Sequence, residues 1–98
     1  MNKSAIVARV AERMVVNRFR AEIAVDTVFE AIAEGLAKEE DVRIAGFGIF
    51  RTRSRAARTG RNPKTGESVP LPEATVPAFK ASRILRTAVN REQARRTA

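Results

Sequence analysis

The chain has 98 residues, 44% of them apolar and 31% charged, and 19 Lys and Arg against 11 Asp and Glu give a formal net charge of +8. It contains no Cys and no His, which excludes disulfides and thiolate metal sites and removes the commonest general base and metal ligand; no metal or other cofactor is expected. This length allows one domain with a modest core, no apolar run approaches a membrane span, and the opening residues lack the apolar stretch of a secretory signal, so a cytoplasmic location is expected.

Residues 3–14 are predicted to form a helix. Ile6, Val7, Val10 and Met14 recur at helical spacing, with Arg9, Glu12 and Arg13 on the other side. Asn2 or Ser4 is placed to cap its start. Asn17 reads as a second N-cap with Val16 as a hydrophobic staple, opening a helix that runs to about Lys38. The apolar positions of that helix are Ala21, Val25, Val28, Phe29, Ile32 and Leu36, widened by several alanines. The joint apolar surface of two such helices is wider than one thin sheet covers, so a second copy of the chain is expected to complete the core.

Glu39-Glu40-Asp41 reads as a solvated turn, because consecutive carboxylates diverge in direction. Val42 and Ile44 alternate with Arg43 and begin a strand. Gly46-Phe47-Gly48 fits a tight bend between antiparallel strands. Phe47 and Phe50 are an odd number apart, so the bend or a bulge is expected to change the facing there. The strand is predicted to continue through Ile49 into residues 51–66, turn at Asn62–Gly66, and return through Ser68-Val69-Pro70-Leu71-Pro72. Pro70 and Pro72 cannot donate backbone hydrogen bonds, which places them on an edge or on an exposed two-stranded arm. Val76-Pro77-Ala78-Phe79 returns to the body, with Phe79 in the core. Ser82 is a candidate cap for a last helix, Arg83–Asn90, with Ile84, Leu85, Ala88 and Val89 on one face. Residues 91–98 extend that helix or fray.

Charge divides the chain. Residues 1–50 hold seven basic and eight acidic side chains, whereas residues 51–98 hold twelve basic and three acidic. Residues 51–66 carry Arg51, Arg53, Arg55, Arg58, Arg61 and Lys64 and no acid. The first three alternate, so on a strand they project from one face. A basic ribbon with a proline near its tip suits a polyanion, with DNA the leading candidate. Glu22, Asp26, Glu30 and Glu34 repeat every four residues and read as one solvated helix face, not a metal site. Gly60 to Gly66 lacks the spacing and the helix start of a phosphate loop, and no enzyme is expected. No basic amphipathic helix with large apolar residues suggests a membrane partner. RNA stays open as a second ligand, although none of the five Phe lies in the ribbon to stack on bases.

With the order helix, helix, strands, basic arm, helix in place, the chain resembles the bacterial HU proteins of the HU/IHF family of DNA-bending proteins. The stretches that carry the resemblance are Met1-Asn2-Lys3, Gly46-Phe47-Gly48-Ile49-Phe50, Arg58 through Glu67 with its Gly60-Arg61-Asn62-Pro63-Lys64-Thr65-Gly66, and Val76-Pro77-Ala78-Phe79-Lys80. The resemblance covers about residues 1–90. It implies an α+β fold: an intertwined homodimer with a helical base, an antiparallel sheet saddle and two long β-ribbon arms. It implies one domain over residues 1–98. Residues 1–45 form the dimerisation base and first strand, 46–80 the strands and DNA-binding arm with its tip at 61–66, 81–90 the C-terminal helix, and 91–98 a basic tail. The dimer core would hold Val28, Phe29, Ile32, Leu36, Ile44, Phe47, Phe50 and Phe79. Arg53, Arg55, Arg58, Arg61, Asn62, Lys64 and Thr65 would line the arm and tip, with Pro63 as a wedge between base pairs in the minor groove. Lys3, Lys80, Arg83 and Arg86 would line the saddle. The implied partner is double-stranded DNA at the nucleoid, preferably bent, nicked or gapped.

Three positions depart from the family pattern. Ala81-Ser82 stands where relatives often carry Pro-Gly, Lys64 stands where many HU chains have Gln, and the Arg91–Ala98 tail exceeds a typical HU length. Lys64 and the length lean towards an IHF-like subunit that pairs with a paralogue and bends defined sites. The start and Val76-Pro77-Ala78-Phe79 favour HU.

Overall fold

The computed structural model describes residues 1–97 of the chain, and its element order is α+β. Two compact units emerge, Met1–Lys38 and Glu39–Ala98.

The first unit is a helical hairpin of α1 (Lys3–Met14) and α2 (Arg18–Ala37). Of the two candidate caps for α1, Asn2 serves: its side chain accepts from Ala5 N at 3.0 Å. Asn17 caps α2 by accepting from Arg20 N at 2.9 Å. Each oxygen satisfies a backbone donor that the first helical turn leaves open. Ser4 instead receives the Arg18 guanidinium at 2.8 Å on its hydroxyl, tying the start of α1 to the start of α2. Val7, Ala21 and Val25 form the buried centre, with Ile6, Val10, Ala11 and Val16 packed around it. The staple expected of Val16 thus lies against the cluster that contains Ala21. α1 ends at Val15, which adopts a left-handed φ of 56°.

The apolar stripe expected along α2 is buried only over its first part. Val28 and Phe29 are 56% and 50% exposed, and Ile32 and Leu36 are half-buried. The buried centre of the hairpin sets Val7 of α1 against Ala21 and Val25 of α2, and the apolar residues of α2 beyond it keep part of their surface open within the single chain.

In the second unit, β1 (Val42–Ile44), β2 (Gly48–Arg55) and β5 (Ala74–Ala81) form an antiparallel sheet in the order β1-β2-β5. Ala45-Gly46-Phe47 joins β1 to β2. Phe47 N donates to Ile44 O at 3.0 Å, and Gly46 has φ 78°, the pattern of a type II turn. The change of facing expected between Phe47 and Phe50 comes from this turn, since β2 pairs with both neighbours without a bulge. Phe79 receives both rings, Phe50 at 4.7 Å between centroids and Phe47 at 5.5 Å. Gly48 lies directly beneath: a Cβ there would sit 2.6 Å from Lys80 O and from the Phe79 ring. Pro77 lies on β5, an edge strand of the sheet, where a missing donor is tolerated.

The ribbon is not one continuous strand pair. β2 stops at Arg55 and the chain pairs again only from Arg58, in a separate two-stranded sheet of β3 (Arg58–Arg61) and β4 (Ser68–Leu71). The gap sets Ala56-Ala57 opposite Pro72-Glu73. Pro72 has no N–H to donate, which interrupts the ladder. Ser82 caps α3 (Arg83–Thr97), its hydroxyl accepting from Leu85 N at 3.1 Å. Of the two outcomes open for residues beyond Asn90, helix extension is the one observed.

Candidate nucleic-acid interface

Strand alternation converts the pairing register into two sheet faces. Val42 faces Phe50 and Phe50 faces Phe79, while Ile44 faces Gly48 and Gly48 faces Ala81. Those residues share one side, which is apolar around the phenylalanines and carries Thr52, Ser54 and Thr75 further along. Arg43 faces Ile49 and Ile49 faces Lys80, and Arg51, Arg53 and Arg55 follow at even spacing opposite Ala78, Val76 and Ala74. The second side therefore gathers Arg43, Arg51, Arg53, Arg55 and Lys80. The small partners on β5 leave room for the long side chains across from them.

Arg43 was absent from the residues singled out by sequence alone. The signal was present in its parity with Ile49, but only the pairing register gives that parity meaning. Arg51 also differs from expectation. Its Nη2 lies 3.8 Å from Asp41 Oδ2, and its Nε is buried with no hydrogen-bond partner among the described residues. Arg51 is thus anchored at the sheet, and Arg53 and Arg55, both exposed, are its free successors.

On the arm, Arg58 pairs with Leu71 and Arg61 with Ser68, so the two arginines lie on opposite faces. The tip braces itself. Asn62 N donates to Glu67 O at 2.9 Å and Gly66 N to Asn62 O at 2.7 Å. Asn62 Oδ1 accepts from Lys64 N at 2.9 Å, an Asx turn, and Thr65 Oγ1 accepts from Glu67 N at 3.3 Å. The oxygen of Asn62 is thereby committed to holding the loop, and its amide N–H group is what it still offers a ligand. Pro63 and Lys64 stand exposed at the apex.

Lys3 belongs to the helical hairpin, where its Nζ contacts Asp26 Oδ1 at 2.8 Å. The hydrogen bond to Asp26, then the charge of that carboxylate, raise the Lys3 pKa above its usual 10.5. Asp26 is therefore not merely a solvated member of an acidic row. Arg83 and Arg86 occupy the first turn of α3, both exposed. Among the described residues no group of three or more acidic side chains is placed to hold a metal, and no helix is long and apolar enough to cross a membrane.

A cationic sheet face, a cationic two-stranded arm and a braced apex with an exposed proline define a nucleic-acid-binding architecture of the β-ribbon class. The family described as bacterial DNA-binding protein matches residues 1–90. DNA-binding protein HU of Staphylococcus aureus (strain COL) is 49% identical over 89 residues, covering 91% of this chain and 99% of the relative. The SPbeta prophage-derived DNA-binding protein HU 2 of Bacillus subtilis (strain 168) is 46% identical over 89 residues, covering 91% and 97%. Among solved structures, an Anabaena HU–DNA cocrystal structure matches with a TM-score of 0.83 at 40% identity, covering 91% of this chain and 97% of that one. HU from Thermotoga maritima matches with a TM-score of 0.63 at 30% identity, covering 91% and 98%. The chain belongs to the HU family of bacterial DNA-binding proteins, which are structural proteins and not enzymes.

Proposed function

We propose that this protein is a histone-like, nucleoid-associated homodimer that binds double-stranded DNA with little sequence preference, bending and compacting it. The arms reach along the minor groove and Pro63 enters the base stack as a wedge. The observation that carries this reading is the charge sorting fixed by the β2 register. One sheet face is cationic, and the cations continue past the break to an apex where a proline is exposed. Proline suits a wedge because it is rigid, apolar and has no N–H to desolvate. The opposite, apolar sheet face leaves Phe47 and Phe79 45% and 44% exposed, which fits burial against a second copy.

Opening a base step costs a few kcal/mol, and bending a short site adds roughly 1–6 kcal/mol. Phosphate contacts must offset most of this. Arg53, Arg55, Arg58, Arg61 and Lys64 give each arm five free cations once Arg51 is set aside. If half of the dimer's arm charges meet phosphates, log K falls with log salt at a slope of about −4 to −5. Lys80, Arg83, Arg86 and, after release from Asp26, Lys3 would add to it.

The test is a salt-series titration against linear, nicked and pre-kinked duplexes of matched composition, with Pro63→Ala alongside. Distorted duplexes are expected to bind tighter, the slope to be steep, and Pro63→Ala to reduce bending more than affinity. Equal binding of all duplexes with no effect of Pro63→Ala would leave a basic coat without a wedge. Protection of one discrete site would instead favour an IHF-like subunit.

A further inference from the structure

The family match ends at residue 90, yet α3 continues without a break to Thr97. The added turns carry Arg91, Arg95 and Arg96 against a single acid, Glu92. Glu92 Oε1 pairs with Arg95 Nη1 at 3.3 Å, with both side chains well exposed. Arg91 and Arg96 are exposed as well.

The direction of these charges is the informative feature. At about 100° per residue, Arg83 and Arg86 share one side of α3, and Ile84, Leu85, Ala88 and Val89 occupy the other. A tail that lengthened the Arg83–Arg86 contact would place cations at positions 90, 93, 94 and 97. Those positions hold Asn90, Gln93, Ala94 and Thr97, none of them charged. Arg91, Arg95 and Arg96 instead follow on the side that is apolar in the first two turns. The extension is thus a cationic surface turned away from the one at the start of the helix. Charge spread for solubility alone would have no reason to avoid four consecutive chances on one side.

We propose that residues 91–97 form a second DNA-binding face, so that a duplex can be held there while the arms hold another. This rests on the DNA-binding reading of the arms and adds bridging to it. DNA is the occupant that fits, because the surface carries three arginines against one carboxylate, which is paired with Arg95, and the family it extends binds that polyanion.

The experiment loads the protein onto an immobilised short duplex and then offers a free fluorescent duplex of equal length. The intact chain is compared with an Arg91→Gln, Arg95→Gln, Arg96→Gln variant and with a chain ending at Asn90. Circular dichroism checks that both remain folded. The intact chain is expected to capture the free duplex, and both variants to lose at least about fivefold of that capture, since a second site raises the local concentration of the second duplex. Affinity for a single duplex should change less than about twofold, and the salt dependence of capture should exceed that of single binding by about 2–3 in slope for three arginines. Equal capture by all three proteins overturns the proposal. So does a parallel loss of single-duplex affinity, which would mean that the tail serves the same duplex. Normal single-duplex binding without capture by the intact chain sinks only the tail's role. Failure to bind a single duplex sinks the reading of the arms along with it.

Discussion

Val15 shows how a side chain can oppose the backbone it sits on. Its left-handed φ of 56° closes α1, where a Cβ, and a branched one most of all, costs roughly 1–2 kcal/mol. Its side chain is 88% exposed and recovers little of this by packing. Val15→Gly is expected to stabilise the protein by roughly 1 kcal/mol, seen as a higher urea midpoint at unchanged slope. A lower midpoint would show that the Val15 side chain is buried in the assembled molecule. Gly48 is the opposite case, because a Cβ there meets the Lys80 carbonyl, a backbone atom that cannot swing aside. Gly48→Ala should cost about 1–3 kcal/mol, measured as a fall in Tm. The caps Asn17 and Ser82 were legible from residue type and position, and for α1 the sequence left Asn2 and Ser4 as alternatives. The commitment of Asn62 Oδ1 to its own loop was not, because a turn asparagine serves a ligand and a backbone amide equally well until the loop geometry is known.

Among the elements, the bounds of α1 and α2 followed from periodicity and cap residues, while the end of α3 at Thr97, the sheet order β1-β2-β5 and the extent of burial did not. Periodicity says which residues of α2 share a face but not what covers them: Val28 and Phe29, expected in a dimer core, are half-exposed in the single chain. The break in the ribbon escaped for a related reason. Alternating basic residues look the same on either side of Ala56-Ala57, and the interruption arises on the returning strand at Pro72. The eight-residue ladder of β2 and β5 and the four-residue ladder of β3 and β4 are therefore predicted to open independently. Hydrogen exchange should find the amides of Arg58–Arg61, Ser68, Val69 and Leu71 fast in the free protein and slowed by DNA, with those of β2 slow throughout. Uniformly slow exchange along the whole ribbon would show that the gap does not uncouple the arm.

At the level of the whole molecule, the small buried centre of the single chain is what the proposed dimer would complete. Among the described residues that buried apolar centre is Val7, Ala21 and Val25. Half-exposed Val28, Phe29, Phe47 and Phe79 supply the missing area in the proposed dimer. Light scattering after size exclusion is expected to give twice the 10.8 kDa chain mass, and Phe29→Asp to give an unfolded chain in place of a folded monomer. A stable folded monomer from Phe29→Asp would refute the shared core. The acid-poor second half and the shared face of Arg51, Arg53 and Arg55 were readable directly, but the place of Arg43 and Lys80 on that face needed the register of three strands.

The separation of the two sheet faces restricts how the length of the chain can change. Because the two faces of β2 are told apart only by odd and even position, inserting or deleting one residue between Gly48 and Arg55 would turn every arginine beyond it towards the aromatic side and every apolar residue towards the ligand. Changes by two residues would preserve the assignment and merely lengthen or shorten the ribbon. The strand is thus a message read in pairs, intolerant of a frame slip even where each single substitution would be harmless.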